Sequence, residues 1–383
     1  MNVLIISSPN IIGRGGQVRS YYVLKHLSRT PIENYVVTID TPHHIVNELR
    51  NSGVNIINNI SCNGSEINTC IAKLVRNIIK HITDLRIDMV VSHSEHPLFV
   101  LPTFISSALS NIPWTVIVQS HMYINPYLSY GRYVSSTRFL RTMLALRAMN
   151  STLVHLVSDV IQHELSRLGI GFRNYEVLEI PVGLDHELMK LCLNANQPKV
   201  YDLAFMGALT VEKGIYDLLY IVSKIAREYR QVKLLLLGDF NSPYERERFM
   251  DLTKRLGIEE MVIYAGYKIG MEKYCELSKA RVFLFPSYVD ILSISILEAL
   301  GMGLPVIIWD LPYANQFRTN AVIKVRSRRD FVDKVITLLK DQAYMERLSK
   351  EARSFVMQYT WDAATHSEYK AYIKTLSWWY KRS

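Results

Sequence analysis

Cysteine is scarce in this sequence, with four residues among 383, at positions 62, 70, 192 and 275. No two of them stand in C-x-x-C spacing, which excludes the common zinc-binding patterns and gives no sign of a disulfide framework. Unpaired thiols are typical of reducing compartments. We therefore expect no metal site, no disulfides and a cytoplasmic protein.

Neither a secretory leader nor a bilayer-spanning segment is expected from this sequence. The N-terminal segment MNVLIISSPN has a short apolar run without a basic lead-in, so it predicts a first β-strand. The segment 282–309 is apolar, but two acids, two prolines and two glycines interrupt it. Any membrane contact is therefore expected to be peripheral, at the inner face of the membrane.

Acidic residues are absent from 97 to 157, whereas Arg132, Arg138, Arg141 and Arg147 lie there among Tyr and Leu residues. Two interpretations stay open. The segment is a solvated helix face with a buried stripe, or it is a surface that contacts anionic lipid. No nucleic-acid-binding motif accompanies the arginines, so nucleic acid is not expected as a partner.

The composition indicates a globular protein, with 49% hydrophobic and 21% charged residues. A length of 383 residues favours two domains. The formal net charge of +9 favours anionic partners such as nucleic acid, anionic lipid or phosphorylated small molecules, and does not choose among them.

Short apolar segments alternate with longer segments of helical periodicity. The apolar segments are 2–7, 35–40, 88–93, 114–121 and 151–158, then 201–207, 232–239, 261–266, 281–287, 304–310 and 321–325. Strands that are apolar throughout and separated by helices predict parallel sheets covered on both faces. The periodicity breaks at 191–202. The fold class expected is therefore α/β, with two doubly wound Rossmann-like domains.

Two carboxylates stand in the apolar stretch FPSYVDILSISILEALGMGLPV, residues 285–306. Asp290 follows a predicted strand, where the loops of a doubly wound sheet face a ligand crevice. Glu298 lies inside a short predicted helix whose N-terminus offers unpaired N–H groups. A structural alternative is a capping box, Ser295-x-x-Glu298, with Asp290 as a plain loop acid.

This stretch resembles the signature of family 4 glycosyltransferases, E-x7-E followed by a small-residue turn and G-x-P-V. Here the pattern is Asp290-x7-Glu298, and Gly303, Pro305 and Val306 follow. The resemblance implies a GT-B fold, with two domains that face an interdomain cleft. It implies that Asp290 contacts the donor sugar and Glu298 the ribose hydroxyls. It also implies that backbone N–H groups of the following residues meet sugar hydroxyls or phosphate: Ile291, Leu292 and Ser293.

The resemblance extends along nearly the whole chain. FMGALTVEKGIYDL (205–218) is similar to a family segment whose lysine, here Lys213, meets the donor diphosphate. VIYAGYK (262–268) is similar to the stretch that holds the base and contains Gly266 and Tyr267. GRGGQVRS (13–20) resembles the N-terminal glycine loop, which makes Gly15, Gly16 and Arg19 donor-binding candidates. His121 falls where the family has a histidine after a strand and is a catalytic candidate, beside the alternative that it is a packed histidine.

The chemistry implied is retaining and metal-independent. Charge builds on the diphosphate as the glycosidic bond breaks, and something positive must stabilise it. The sequence has no D-x-D motif, so a lysine, arginines and a helix N-terminus are expected to do this. Lys213, Asp290 and His121 are the predicted catalytic residues. No cofactor is expected.

Three departures from the family pattern keep other functions open. The family's diphosphate-binding arginine falls at Ala208, two glycines after the first acid are Ile291 and Ser293, and the first acid is Asp290. These departures allow a noncatalytic GT-B partner protein. A nicotinamide oxidoreductase is the other alternative, because 13–18 partly matches G-x-G-x-x-G and an Asp ends the second predicted strand.

The sequence thus predicts an acceptor-side domain at 1–195, a nucleotide-sugar domain at 200–360 and a terminal helix at 361–383 that the resemblance places on the first domain. The predicted partners are a nucleoside-diphosphate sugar and a glycan, lipid-linked or other hydroxyl acceptor, with an anionic membrane surface as a further contact.

Overall fold

The computed structural model describes residues 1–11, 15–120, 136–229 and 231–382. The chain divides into two compact units. The first contains Met1–Gly183 and Trp361–Ser383, and the second contains Leu184–Thr360.

The first unit is built on a seven-stranded parallel sheet. Its strands are β1 (Asn2–Ser7), β2 (Glu33–Ile39), β3 (Asn55–Ile60), β4 (Met89–Ser92), β5 (Trp114–Val118), β6 (Val154–Leu156) and β7 (Tyr175–Val177). Their order is β3-β2-β1-β4-β5-β6-β7. Its helices are α1 (Gly15–Leu27), α2 (His43–Asn51), α3 (Ile67–Asp84), α4 (Pro97–Ser110), α5 (Ser136–Met149), α6 (Asp159–Ser166) and, at the end of the chain, α14 (Trp361–Tyr380).

The second unit repeats this architecture with a six-stranded parallel sheet. Its strands are β8 (Tyr201–Met206), β9 (Leu234–Leu237), β10 (Val262–Gly266), β11 (Ala280–Phe285), β12 (Val306–Trp309) and β13 (Val322–Val325), in the order β10-β9-β8-β11-β12-β13. Its helices are α7 (His186–Asn194), α8 (Ile215–Glu228), α9 (Pro243–Arg255), α10 (Gly270–Ser278), α11 (Ile294–Gly301), α12 (Arg328–Lys340) and α13 (Gln342–Val356).

Burial explains why these segments are strands. Val3–Ile6 and Leu234–Leu237 are at most 1% exposed, because helices cover both faces of each sheet. The helices bury one stripe only: in α3, Cys70, Leu74 and Ile78 are at most 2% exposed and stand four residues apart. The prediction of two parallel, doubly wound α/β domains is confirmed.

The division between the units lies earlier than the predicted residue 195. Helix α7 belongs to the second unit, because Met189 packs on Gly301 and Cys192 is joined to Cys275 of α10. Sequence periodicity does not reveal which sheet a helix packs on.

Helix α14 returns to the first unit. The Trp361 ring stacks on Tyr22 of α1 with centroids 4.5 Å apart, and the Ile180 N–H donates to the Ser367 hydroxyl at 3.3 Å. The helix thus closes the face of the first sheet that carries α1.

The expectation of unpaired cysteines is wrong, since the structure joins Cys62 to Cys70 and Cys192 to Cys275. The second pair is separated by 83 residues and is brought together by the packing of α7 on α10, which no short spacing rule detects. The pairing also removes the argument for a reducing compartment.

Two properties of the described residues bear on function. No helix within the described ranges has both the length and the apolar character needed to cross a bilayer. In the same part of the chain, no cluster of three or more His, Cys, Asp or Glu side chains is arranged to hold a metal ion.

Candidate active site

Lys213 and Asp290 form an ion pair at the carboxyl edge of the second sheet. Lys213 ends a 3₁₀ segment, Val211–Lys213, after β8, and Asp290 lies in the loop between β11 and α11. The Lys213 Nζ lies 2.7 Å from Asp290 Oδ2 and also donates to the Val289 carbonyl at 3.0 Å. The two side chains are 26% and 10% exposed. An anionic ligand at this edge would compete with Asp290 for the ammonium group.

The two loops approach closely because Gly214 has no side chain. Its φ is +72°, and a Cβ there would lie 1.9 Å from the Pro286 carbonyl oxygen. The Tyr288 N–H donates to the Glu212 carbonyl at 2.9 Å, and Trp309 Nε1 donates to the Pro286 carbonyl at 2.9 Å. The backbone on both sides of the ion pair is therefore fixed.

A buried carboxylate of α8 supports the same loop. Asp217 is 4% exposed and accepts hydrogen bonds from the Tyr288 hydroxyl and the Arg328 guanidinium. Burial and the contact with Asp217 raise the pKa of Tyr288. Because Tyr288 stands two residues before Asp290, this interaction anchors the loop to α8 and α12.

Glu298 makes no capping box. It is the fifth residue of α11, 7% exposed, and its Oε1 accepts from Lys273 Nζ at 2.5 Å and from the Tyr274 hydroxyl at 3.0 Å. The N-cap of α11 is Ser293, whose hydroxyl is 3.0 Å from that of Ser295. The capping-box interpretation is therefore wrong, and the carboxylate is held for contacts outside its own helix.

The N-terminus of α11 directs amide groups toward the same edge. The Ile291 N–H donates to Asp290 Oδ1 at 2.8 Å. Within the described residues, the amide groups of Leu292 and Ser293 donate no hydrogen bond. Of the three predicted backbone donors, two are therefore available and the first is used by Asp290.

Small residues line the neighbouring strand ends. A Cβ at Gly238 would lie 1.9 Å from the Gly207 carbonyl oxygen, so β8 and β9 meet closely where they end. Gly266 ends β10 with a φ of +72° and open space at its Cβ position, and Tyr267 after it is 47% exposed. Ala208 is exposed and offers no charge where the resemblance expects an arginine.

The predicted residues of the first unit behave differently. Gly15 and Gly16 open α1, and a Cβ at Gly16 would lie 2.8 Å from Gln119 Oε1. Gln119 is itself fixed by donating to the His93 carbonyl at 2.6 Å. The predicted residues His121 and Arg132 lie outside the described residues.

Arg19 does not face a ligand site. It is 2% exposed, its Nε donates to the Pro181 carbonyl at 2.5 Å, and its Nη2 lies 2.5 Å from Glu368 Oε2. The interpretation of Arg19 as a donor-binding residue is therefore not supported, because its charge is used to hold α14 against α1.

Glu368 is the centre of this buried cluster. Its Oε1 lies 2.7 Å from His93 Nε2 and accepts from the Tyr372 hydroxyl at 2.6 Å. Burial alone would raise the pKa of Glu368, but Arg19 and His93 beside it hold this pKa well below its ordinary value. The cluster stabilises a buried negative charge and joins α1, the residue after β4 and α14.

Helix α5 has an exposed apolar face. Phe139, Leu140, Met143 and Leu144 are 36% to 58% exposed, and the exposed arginine Arg147 lies in its last turn. The solvated-helix interpretation of this segment does not explain four large apolar side chains in contact with water.

A basic surface depression of about 280 Å³ lies between β3 and α3. It is lined by Asn58, Asn59, Ile60, Lys73, Arg76, Asn77 and Lys80. None of the predicted site residues lines it.

Sequence reasoning missed Lys273, Tyr274 and Asp217, which hold Glu298 and the Asp290 loop. A signal existed for the first two, because α10 follows directly on the predicted base-binding stretch. No local signal marked Asp217, whose partners lie 71 and 111 residues further along the chain.

Comparison with known proteins shows what part of the chain is similar to. Residues 194–355 match the sequence model of glycosyl transferases group 1. Sulfoquinovosyl transferase SQD2 of Arabidopsis thaliana is 23% identical over 305 residues, which cover 78% of this chain and 54% of that protein. Alpha-monoglucosyldiacylglycerol synthase of Streptococcus pneumoniae is 23% identical over 247 residues, which cover 60% of this chain and 53% of that protein. The chain thus spans about half the length of these relatives.

Among solved structures, Anabaena HepE in complex with UDP-glucose superposes with a TM-score of 0.74 at 15% identity, over 98% of this chain and 100% of that chain. At this identity the likeness shows the fold, which is that of GT-B glycosyltransferases. The finer assignment to family 4 stays a prediction. The chain therefore has the GT-B fold, and its residues 194–355 are similar to glycosyl transferases group 1.

Proposed function

We propose that the protein is a retaining, metal-independent glycosyltransferase that moves a sugar from a nucleoside diphosphate to a hydroxyl acceptor. The observation that carries this proposal is the position of Lys213, Asp290 and Glu298 along one edge of the second sheet, inside the segment that matches the family. Ligands of doubly wound sheets bind at this edge.

Each residue has a chemical role in the proposed reaction. The Lys213 ammonium binds the diphosphate and stabilises the charge that grows on it as the glycosidic bond breaks. Asp290, released from Lys213, accepts hydroxyl groups of the donor sugar. Glu298 accepts the ribose hydroxyls, and the backbone at Gly266 and Tyr267 lies against the base.

The amide groups of Leu292 and Ser293, at the start of α11, add partial positive charge toward the diphosphate. Together with Lys213 they supply the stabilisation that a D-x-D metal site gives in other transferases. This supports a metal-independent reaction in a sequence without that motif.

In this proposal the anomeric configuration of the sugar is retained because the reaction takes place on one face of the sugar. The acceptor hydroxyl attacks the anomeric carbon from the side that the diphosphate leaves, and the departing phosphate oxygen takes up the hydroxyl proton. In this proposal Asp290 accepts hydroxyl groups of the sugar, so no carboxylate among the described residues is assigned as the nucleophile of a double displacement.

We also propose that the acceptor is lipid-linked and that α5 contacts an anionic membrane, at the inner face if the protein is cytoplasmic. The four exposed apolar side chains of α5 and its arginines Arg138, Arg141 and Arg147 suit such a surface. One similar protein is named as a diacylglycerol glycolipid synthase. Salt-sensitive sedimentation with anionic liposomes tests the contact, and binding that is unchanged when Leu140 and Leu144 become Ser would refute it.

A noncatalytic GT-B partner protein is the second candidate, favoured by Ala208 and by the closed Lys213–Asp290 pair. The nicotinamide alternative has no support once residues 194–355 match a sugar-transferring family.

Donor binding is tested by titrating the wild type and Glu298→Ala with UDP, GDP and ADP. A hydrogen bond to a charged group contributes about 1.5–3 kcal/mol, so the variant should bind its nucleotide at least about tenfold more weakly. Equal dissociation constants, with the fold intact by circular dichroism, would remove Glu298 from the donor site.

A further inference from the structure

Glu298 presents its two oxygens unequally. Both of its hydrogen bonds, from Lys273 Nζ and from the Tyr274 hydroxyl, end on Oε1. In the part of the chain that the structure describes, no group donates to Oε2. One oxygen is therefore fixed by the protein, and the other is left for a ligand.

The two donors come from one helix that faces α11. Lys273 and Tyr274 are consecutive residues of α10, with Tyr274 4% exposed and the Lys273 side chain 19% exposed. Helix α10 is itself fastened to α7 by the disulfide between Cys275 and Cys192. The Glu298 carboxylate is thus held by contacts with a neighbouring helix that is itself joined to α7.

The charge of Lys273 has a second consequence. A buried carboxylate beside a diphosphate would repel it, because like charges interact strongly where water is excluded. An ammonium group 2.5 Å from the carboxylate cancels that repulsion and leaves the lone pairs of Oε2 able to accept hydrogen bonds.

We propose that Lys273, assisted by Tyr274, is a positioning residue for ribose recognition: by occupying Oε1 of Glu298 it directs Oε2 to the 2′- and 3′-hydroxyls of the nucleoside diphosphate. This inference rests on the proposed function. It predicts a preference for ribonucleotides that depends on a residue outside the family's acidic pair.

The test measures the dissociation constants of UDP, GDP and ADP and of their 2′,3′-dideoxy counterparts by calorimetry. Lys273→Met should weaken the ribonucleotide that binds best by about tenfold, the scale of one charge-assisted hydrogen bond. It should weaken binding of the dideoxy form by less than about twofold. Added to Glu298→Gln, it should cause little further loss of ribonucleotide affinity, because Lys273→Met and Glu298→Gln remove the same interaction. Tyr274→Phe, which keeps the ring in place, should give a smaller loss with the same dependence on the hydroxyls.

Lys279→Met is the matched control. Lys279 follows α10 directly and lies 2.7 Å from Glu276, so the change removes a comparable ion pair without contact to Glu298. Its dissociation constants should equal those of the wild type. Lys273→Arg, which keeps the charge, should recover part of the lost affinity.

Three results would overturn the proposal. Unchanged ribonucleotide binding by Lys273→Met, with a clear loss in Glu298→Gln, would refute the positioning role and leave the proposed function intact. An equal loss for ribo and dideoxy forms would mean that Lys273 binds the phosphates directly. A wild type that binds none of the nucleotides would overturn both the proposed function and this inference.

Discussion

Glu95→Gln should stabilise the protein above pH 7 and have little effect near pH 4. Glu95 lies in the loop between β4 and α4, is 2% exposed and accepts the Gln119 N–H at 3.0 Å. Burial raises the pKa of its carboxyl from 4.5 to about 7, although backbone N–H groups act in the opposite direction. A glutamine cannot ionise, and its amide oxygen can still accept the Gln119 N–H.

The direction of this pH dependence follows from the raised pKa of Glu95. The folded state holds the Glu95 proton more tightly than the unfolded state, so this contribution to stability is fully present below pH 4.5. It is lost as the pH rises through the folded pKa of about 7. At about 1.4 kcal/mol for each pKa unit, the wild type should lose about 3 kcal/mol relative to Glu95→Gln between pH 4 and pH 8.

The assay is guanidinium unfolding of both proteins at pH 4, 6 and 8, comparing the difference in the free energy of unfolding at each pH. Other acidic groups titrate in both proteins and cancel in this difference. Glu179→Gln is the control, because Lys370 lowers the pKa of that exposed carboxyl and its effect should not grow with pH in the same direction. A Glu95→Gln effect that is independent of pH would refute the buried, proton-binding carboxyl described here.

Gly214→Ala should cost about 2–4 kcal/mol in unfolding free energy, because the residue would adopt a positive φ and its Cβ would meet the Pro286 carbonyl. The control Gly257→Ala, with a φ of +67° and open space around it, should cost only about 1–2 kcal/mol, and equal losses would refute the close approach at Pro286. Glu368→Gln should cost about 3–5 kcal/mol by chemical denaturation, because Arg19 would be left as a buried charge without its partner. A loss below about 1 kcal/mol would show that Arg19 has access to water.

The local sequence was sufficient where function depends on neighbouring residues in the chain. Most strands were predictable because they are largely apolar, as in Leu234–Leu237. Strands β3 and β7 were not predicted, because Asn55–Ile60 contains three asparagines and Tyr175–Val177 is a short, partly exposed segment. Asp290 and Glu298 were predicted in a strand-end loop and a short helix, and the structure has them there. The sequence has a glycine directly after Lys213, and in the structure this residue, Gly214, permits the close approach of its loop to Pro286.

The remaining features depend on contacts between distant segments. Arg19 was interpreted from its glycine-rich surroundings, but its partner Glu368 is 349 residues away. The role of Lys273 appears only when α10 is packed on α11. Cys192 pairs across 83 residues for the same reason. Composition and periodicity predict helices and strands. The partners of Arg19, Lys273 and Cys192 depend instead on which helices pack against each other on the sheets.

The central claim is that Lys213 stabilises a leaving diphosphate. It is tested most directly by the rate of nucleotide release from a panel of UDP-, GDP- and ADP-sugars, with lipid-linked and soluble hydroxyl acceptors, in the presence of EDTA. We expect turnover with at least one donor. Lys213→Ala should lower turnover by about 10²–10³ and weaken donor affinity by less, because charge grows on the diphosphate in the transition state. Donor binding without release by the wild type, or a Lys213→Ala variant as fast as the wild type, would contradict it.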